Sequence, residues 1–285
     1  MATTTERATT EAVAAAPRPN RFLTLVRRSR ITVALPALWA VLVVLLLWWT
    51  VVNLFDIPFY LLPQPVDVWH SLVNDWSRLM EEARSTVAGA MLGLGLAILV
   101  GGVIGTLMAY SPTVERILYP VVVTIRATPN IAIAPVFLIW WGFTIVPKMV
   151  VASISAFFPI LINIVTGLRA GDPTVGELFQ SLHAGRWETF WRFRLPNAMP
   201  YLLAGLRIAV NLAIIGAIVA ELVVGGGAKG LGGIISVSAV DLRTDRVFAA
   251  AFVLMSIGVI GQLIVSFLES RLLFWHSSKL GLNKE

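Results

Sequence analysis

Arg126 and Glu221 are the residues whose types and positions could do chemistry, because each is an ionisable group set within or at the edge of a long apolar run. A charge placed where water is scarce is costly unless it meets a partner, so such groups bind a solute or pair one helix with another. Arg207 is of the same kind. Pro129, Pro135 and Pro159 also fall inside apolar runs, where each frees a carbonyl that needs a new partner. A kink at Thr128–Pro129 beside Arg126 would form a gate or the wall of a path through lipid. Arg126, Thr128, Pro129, Asn211 and Glu221 are therefore the candidates for a translocation path. Snorkelling, helix pairing and plain packing are the competing roles.

Other chemistries find less support. There are no cysteines, which removes disulfides, thiolate catalysis and Cys-ligated metals. His70, His183 and His276 are scattered without metal-ligand spacing, so neither a metal site nor a cofactor is expected. Val224–Gly230 is glycine-rich but lacks the Gly-x-x-x-x-Gly-Lys-Ser/Thr pattern, and reads as a flexible outer turn rather than a phosphate cradle. No clustered nucleophile, acid and base supports a membrane-bound enzyme.

The elements that would position these residues are transmembrane helices. The chain is 57% hydrophobic and only 13% charged, where a soluble domain carries about twice that charge. A span needs about 20 apolar residues, and about six runs qualify: Thr32–Leu54, Ser85–Tyr110, Ile117–Phe143, Met149–Leu168, Tyr201–Val224 and Val247–Leu268. The third is interrupted by Arg126 and Pro129. With the N-terminus inside, the inner segments collect most of the cations, and the outer ones hold only Arg78, Arg84, Lys148, Lys229, Arg243 and Arg246. Both termini are thus expected in the cytoplasm. Residues 1–30 read as a disordered basic tail, 31–276 as the membrane domain and 277–285 as a second cytoplasmic tail. The net charge of +6 is a topology signal and does not argue for nucleic acid.

Within the second run, Gly89, Gly93, Ala97, Gly101, Gly105 and Ala109 recur every fourth position. This makes a groove that another helix backbone can enter. It serves either packing within one subunit or a mobile, dimer-facing helix.

Between the fourth and fifth runs lies the polar stretch Arg169–Pro200, which cannot sit in lipid yet is patterned. Leu178, Phe179 and Leu182 form one short apolar face, and Trp187, Phe190 and Trp191 form another. Two short amphipathic helices, broken near Ala184–Gly185 and stopped by Leu195–Pro196, fit this pattern. Such an insert is a docking surface for something outside the bilayer, or an amphipathic helix resting on the membrane.

The segment Glu177–Trp187 followed by Arg194–Ala209 resembles the EAA loop of binding-protein-dependent ABC importer permeases. That pattern is Glu-Ala-Ala, three residues, Gly, then a later Leu-Pro. Glu177, Leu195 and Pro196 match it. Leu178 and Phe179 stand in for the alanines, and His183 replaces the glycine, with Gly185 close behind. The segments Leu62–Trp69, Ala127–Pro135, Trp141–Phe143, Gly167–Arg169, Gly216–Glu221 and Trp275–His276 are similar to the nitrate/sulfonate/taurine-type branch. Members with pyrimidine-precursor or riboflavin-type substrates look similar too. The resemblance implies an all-α integral membrane protein with the type I ABC importer permease fold and a cytoplasmic coupling helix. It also implies that Glu177, Leu178, Phe179, Leu182, His183, Gly185, Leu195 and Pro196 couple to an ABC ATPase dimer.

The implied assembly adds a second permease subunit, as a homodimer, and an extracytoplasmic solute-binding protein, in the bacterial cytoplasmic membrane. The outer segment Asp56–Arg84 and the loop Gly225–Arg246, acidic and basic in turn, would meet that binding protein. An ion-gradient-driven transporter or channel is the other class; it would show mid-membrane carboxylates and internal repeats. The solute itself is open. An anion would favour Arg126, and a flat heterocycle Trp140 and Trp141, which also read as an interface belt.

Overall fold

The computed structural model describes residues 30–224 and 229–273, with side chains from residue 39 onward. The chain divides into two units at Asp56. In the first, α1 (Arg30–Leu54) is one apolar helix. Its 25 residues extend about 37 Å, enough to cross a hydrocarbon layer of about 30 Å. Of the expected tails, only Arg30 falls within the described residues.

The second unit contains α2 (Pro65–Asn74), α3 (Trp76–Tyr110), α4 (Pro112–Ala127), α5 (Asn130–Trp141), α6 (Ile145–Arg169), α7 (Pro173–Ser181), α8 (Arg186–Thr189), α9 (Leu195–Val224), α10 (Leu231–Val240) and α11 (Thr244–Leu272). Three helix starts share one device. Gln64, Ser111 and Asp172 each precede a proline at the first helical position, where its missing N–H is an orphan donor anyway and its fixed φ suits the helix. α3, α6, α11 and the α8–α9 rod are each long and apolar enough to span a membrane. α4 and α5 form a pair bent by 92°. The expected third span is thus two helices, and the break falls at Thr128–Pro129.

α6 is the central rod, packed on both sides. The small-residue stripe of α3 faces it: a Cβ added at Gly93 would lie 2.5 Å from Ala152 Cβ and 2.6 Å from the Met149 carbonyl. The stripe therefore packs within the subunit. A second stripe, on α9, meets a neighbouring face of α6. A Cβ at Gly205 would lie 2.8 Å from Asn163 Cβ, and one at Gly216 would lie 2.8 Å from Ala152 Cα. Ala152, Ala156, Ala209, Ala213 and Ala217 are fully buried between these helices, and small side chains are what allow this close approach.

Two expectations are corrected. Leu195–Pro196 does not stop a helix; the rod runs unbroken from Arg186 to Val224. Phe190–Arg194 is a π turn in which the Leu195 N–H reaches the Phe190 carbonyl. That wider turn shifts the hydrogen-bond ladder just where Pro196 has no N–H to give, so the helix continues through the proline. Gly225–Arg246 is not all loop, because its apolar part folds as α10 with Leu231, Gly232, Gly233 and Ile234 buried. The glycine turn at 225–228 lies outside the described residues.

Candidate functional site

At one end of the bundle the polar insert forms an exposed helical elbow. Asp172 caps α7 by accepting from the Thr174 N–H at 2.8 Å. No residue of α7 is buried. Phe179 stacks on Phe193 of the π turn with centroids 5.6 Å apart, which fixes α7 against the rod. Leu178 and Leu182, one turn apart, point away and are exposed. Glu177, His183 and Gly185 lie exposed on the same elbow, while Leu195 and Pro196 are half-buried in the rod.

Arg169 clamps this end to the bundle. Its guanidinium grips Glu115 with two bonds of 2.9 and 2.8 Å and donates to the Met108 carbonyl at 2.7 Å. One side chain thus joins the end of α6 to the end of α3 and the first turn of α4. Arg194 lies over the Tyr110 ring at 4.5 Å and ties in the rod. The sequence placed Arg169 at the head of the polar stretch and in the family-like segment Gly167–Arg169, without its partners.

Glu221 occupies the opposite end and is 1% exposed. Lys148 Nζ donates to its Oε1 at 3.0 Å, the Thr86 hydroxyl to its Oε2 at 2.9 Å, and the Gly232 N–H to the same oxygen at 3.0 Å. Leu231 N–H donates to Thr86 Oγ1 at 2.9 Å, and Gly230 N–H to Glu82. The first free N–H groups of α10 are thus satisfied by side chains of α3 and α9, as a buried helix start requires. Lys148 completes its own shell with Ser85 Oγ at 2.9 Å and the Lys229 carbonyl at 2.6 Å. The knot joins four helices and encloses the carboxylate. Beside it, Arg246 pairs with Asp75 at 2.8 Å and Arg243 with Asp245 at 3.0 Å. The outer acidic and basic segments therefore pair with each other in part.

The remaining candidates sit apart from Glu221. Arg126 ends α4 and stacks over the Phe158 ring of α6 at 4.2 Å. Asn130, beginning α5, donates to Ser155 of the same helix at 2.6 Å. Both sides of the Thr128–Pro129 break are thus held to α6. The Thr128 hydroxyl turns back to the Thr124 carbonyl at 2.9 Å. Asn211 is exposed on α9, and Trp140 and Trp141 cluster with Phe137 at the end of α5. Among the described residues, no cluster of three or more His, Asp or Glu is placed to hold a metal ion.

Residues 93–274 match the family described as the binding-protein-dependent transport system inner membrane component. The chain belongs to that family. It is 35% identical over 221 residues to the formylaminopyrimidine transport permease protein of Halalkalibacterium halodurans, covering 77% of this chain and 88% of the relative. It is 31% identical over 241 residues to the taurine transport system permease protein of Escherichia coli, covering 82% and 87%. A solved structure titled as an amino acid ABC transporter with histidines shares the fold, with a TM-score of 0.55 at 19% identity, over 70% of this chain and 94% of that one. The chain is an ABC transporter permease, all-α and multi-pass, and its relatives are transport subunits rather than enzymes.

Within this family His183 stands where the EAA pattern has glycine, and the structure shows what the site demands. α7 ends with His183 at a left-handed φ of 54°. The Ala184 N–H bonds the Phe179 carbonyl at 3.0 Å and the His183 N–H bonds the Gln180 carbonyl at 2.9 Å. This is a Schellman cap, whose left-handed position usually holds glycine. A side chain there costs about 1 kcal/mol or more. His183→Gly will therefore keep the elbow and stabilise the protein by up to about 1 kcal/mol, read as a higher melting temperature in lipid. A lower melting temperature would show that the imidazole makes a compensating contact.

Proposed function

We propose that this chain is the permease subunit of an ABC importer and forms the path of a small solute by alternating access, driven by ATP hydrolysis on a separate subunit. The carrying observation is the elbow, an exposed helix with an unpartnered Leu178/Leu182 edge, locked by the Phe179–Phe193 stack to a rod that spans the membrane. A force applied to α7 is passed to the rod through that stack as well as through the short turn at 182–185. In this reading α7 is the coupling helix, Glu177 to Leu182 seat in an ATPase groove, and the excess of cations on that side sets it in the cytoplasm. The working assembly has two copies of this chain, two ATPase subunits and an extracytoplasmic binding protein.

The path is assigned to Arg126, Thr128 and Pro129 at the broken helix and to Asn211 on the exposed face of α9. Glu221 is assigned to holding the outer end together. The solute class is an anion of the nitrate, sulfonate or taurine kind, or a heterocyclic vitamin precursor. Arg126 suits the first and the Phe137–Trp140–Trp141 cluster the second.

The test is co-purification with the ATPase and ATP turnover in lipid. Glu177→Ala/Leu182→Asp should abolish assembly or reduce stimulated turnover at least about tenfold, because a carboxylate replaces the exposed apolar edge at a desolvated contact. Gradient-driven uptake that persists in this variant without any ATPase would replace the proposal with a secondary transporter.

A further inference from the structure

We infer that the groove between the end of α3 and the Arg186–Phe190 turn is a binding site for an anionic phospholipid. Its height in the membrane follows from two polar clusters. Lys148 and Arg169 lie about 31 Å apart along α6, which matches a hydrocarbon layer of about 30 Å. The enclosed Lys148–Glu221 knot marks one boundary and the Arg169–Glu115 clamp the other. Tyr110 belongs to the second boundary, since Arg169 grips the Met108 carbonyl beside it and Arg194 lies over its ring. Phe190 is 6.5 Å from Tyr110, and Trp187 stacks on Phe190 at 6.0 Å. Trp187 is therefore held at headgroup height, where indole rings favour the polar edge of a bilayer.

A groove of about 300 Å³ opens at that level, lined by Thr106, Tyr110, Arg186, Trp187 and Phe190. Its inner end runs towards Thr106, one turn deeper along α3, past a helix face on which Val103 and Leu107 are exposed. An acyl chain fits that path. At the mouth, Arg186 has no ion-pair partner among the described residues, whereas its neighbour Arg192 is taken by Glu188 at 3.1 Å. A free guanidinium beside an indole at headgroup height fits a phosphate diester through charge-assisted hydrogen bonds. A zwitterionic lipid offers the same phosphate but brings its own cation against Arg186, so the site selects net negative charge.

The test uses the full chain in nanodiscs of palmitoyl-oleoyl phosphatidylcholine doped with brominated phosphatidylglycerol or brominated phosphatidylcholine, reading tryptophan quenching. The Trp187 contribution is the difference between wild type and Trp187→Phe. Wild type should show at least about fivefold stronger quenching of that contribution by the glycerol lipid, a preference corresponding to one cation at the surface. Arg186→Gln should lose the preference and Arg186→Lys should keep most of it. Both change an exposed side chain without an ion pair, so the fold is not at risk. Equal quenching by the two lipids in wild type, or an unchanged preference in Arg186→Gln, overturns the assignment. Loss of the preference once the ATPase is bound, with cross-linking from position 187 to that partner, also overturns it and gives the groove to the protein interface.

Discussion

Lys148→Met, with Glu221 intact, will destabilise the fold by about 3–5 kcal/mol, the usual cost of leaving one member of a buried ion pair alone. Glu221 is 1% exposed, so losing the ammonium leaves a buried charge without its counter-ion. The carboxylate would retain only the Thr86 hydroxyl and the Gly232 N–H. Ser85 Oγ would lose its donor in the same step, and the Lys229 carbonyl would keep only the Ser85 hydroxyl at 3.2 Å. The double substitution Lys148→Met/Glu221→Gln should recover at least half of the loss. A neutral amide oxygen still accepts from Thr86 and Gly232, and no charge is left enclosed. Unfolding midpoints in mixed micelles read both effects. Equal loss in the single and the double variant would sink the claim that the uncompensated charge is the cause.

Gly93→Leu will cost about 1–3 kcal/mol or more through overpacking. The cost is set by what lies behind the contact. The new Cβ would press on Ala152 Cβ and on the Met149 carbonyl, at 2.5 and 2.6 Å. Yielding by α6 is opposed by the backbone of α9 at Gly216, which also sits against Ala152, with 2.8 Å between an added Cβ and Ala152 Cα. Gly95, on the same helix, has nothing within 4 Å of an added Cβ. Gly95→Leu is therefore the control and should change the melting temperature little. A similar drop in both variants would point to added side-chain bulk in general instead of the close helix contact at Ala152, since leucine is the better helix former.

These two sites also show how far a sequence reading reaches. The groove at Gly89 to Ala109 was legible because a small residue at every fourth position is a local signal. The matching repeat at Gly205, Ala209, Ala213 and Ala217 carries the same signal and went unread beside the polar insert. The break at Thr128–Pro129 and the turn near Ala184–Gly185 were legible from single residues with strong backbone preferences. The continuation through Pro196 was not, because a π turn is a shift of the hydrogen-bond ladder that has no composition of its own. Lys148 looked like one more outer cation. Its partnership with Glu221 depends on α6 packing against both α3 and α9, a fact of assembly that no window of sequence contains. Arg169 was hidden in the same way, since its ligands are carbonyls of α3 and a glutamate that follows it in space and precedes it in the chain.

The rod from Arg186 to Val224 carries the elbow at one end and Glu221 near the other. A helix advances about 100° per residue, so the facing of the two ends is a matter of screw phase as well as length. One residue added between Pro200 and Glu221 would swing the carboxylate about a quarter turn away from Lys148. Upstream, the π turn at Phe190–Arg194 shows a ladder that has taken up one extra residue in a local bulge. The chain is thus tolerant of changes in residue number on the elbow side of Leu195 and intolerant of them beyond it. Engineered insertions in this half of the molecule should therefore be better tolerated on the elbow side, and the membrane stretch behaves as a threaded part cut to one phase.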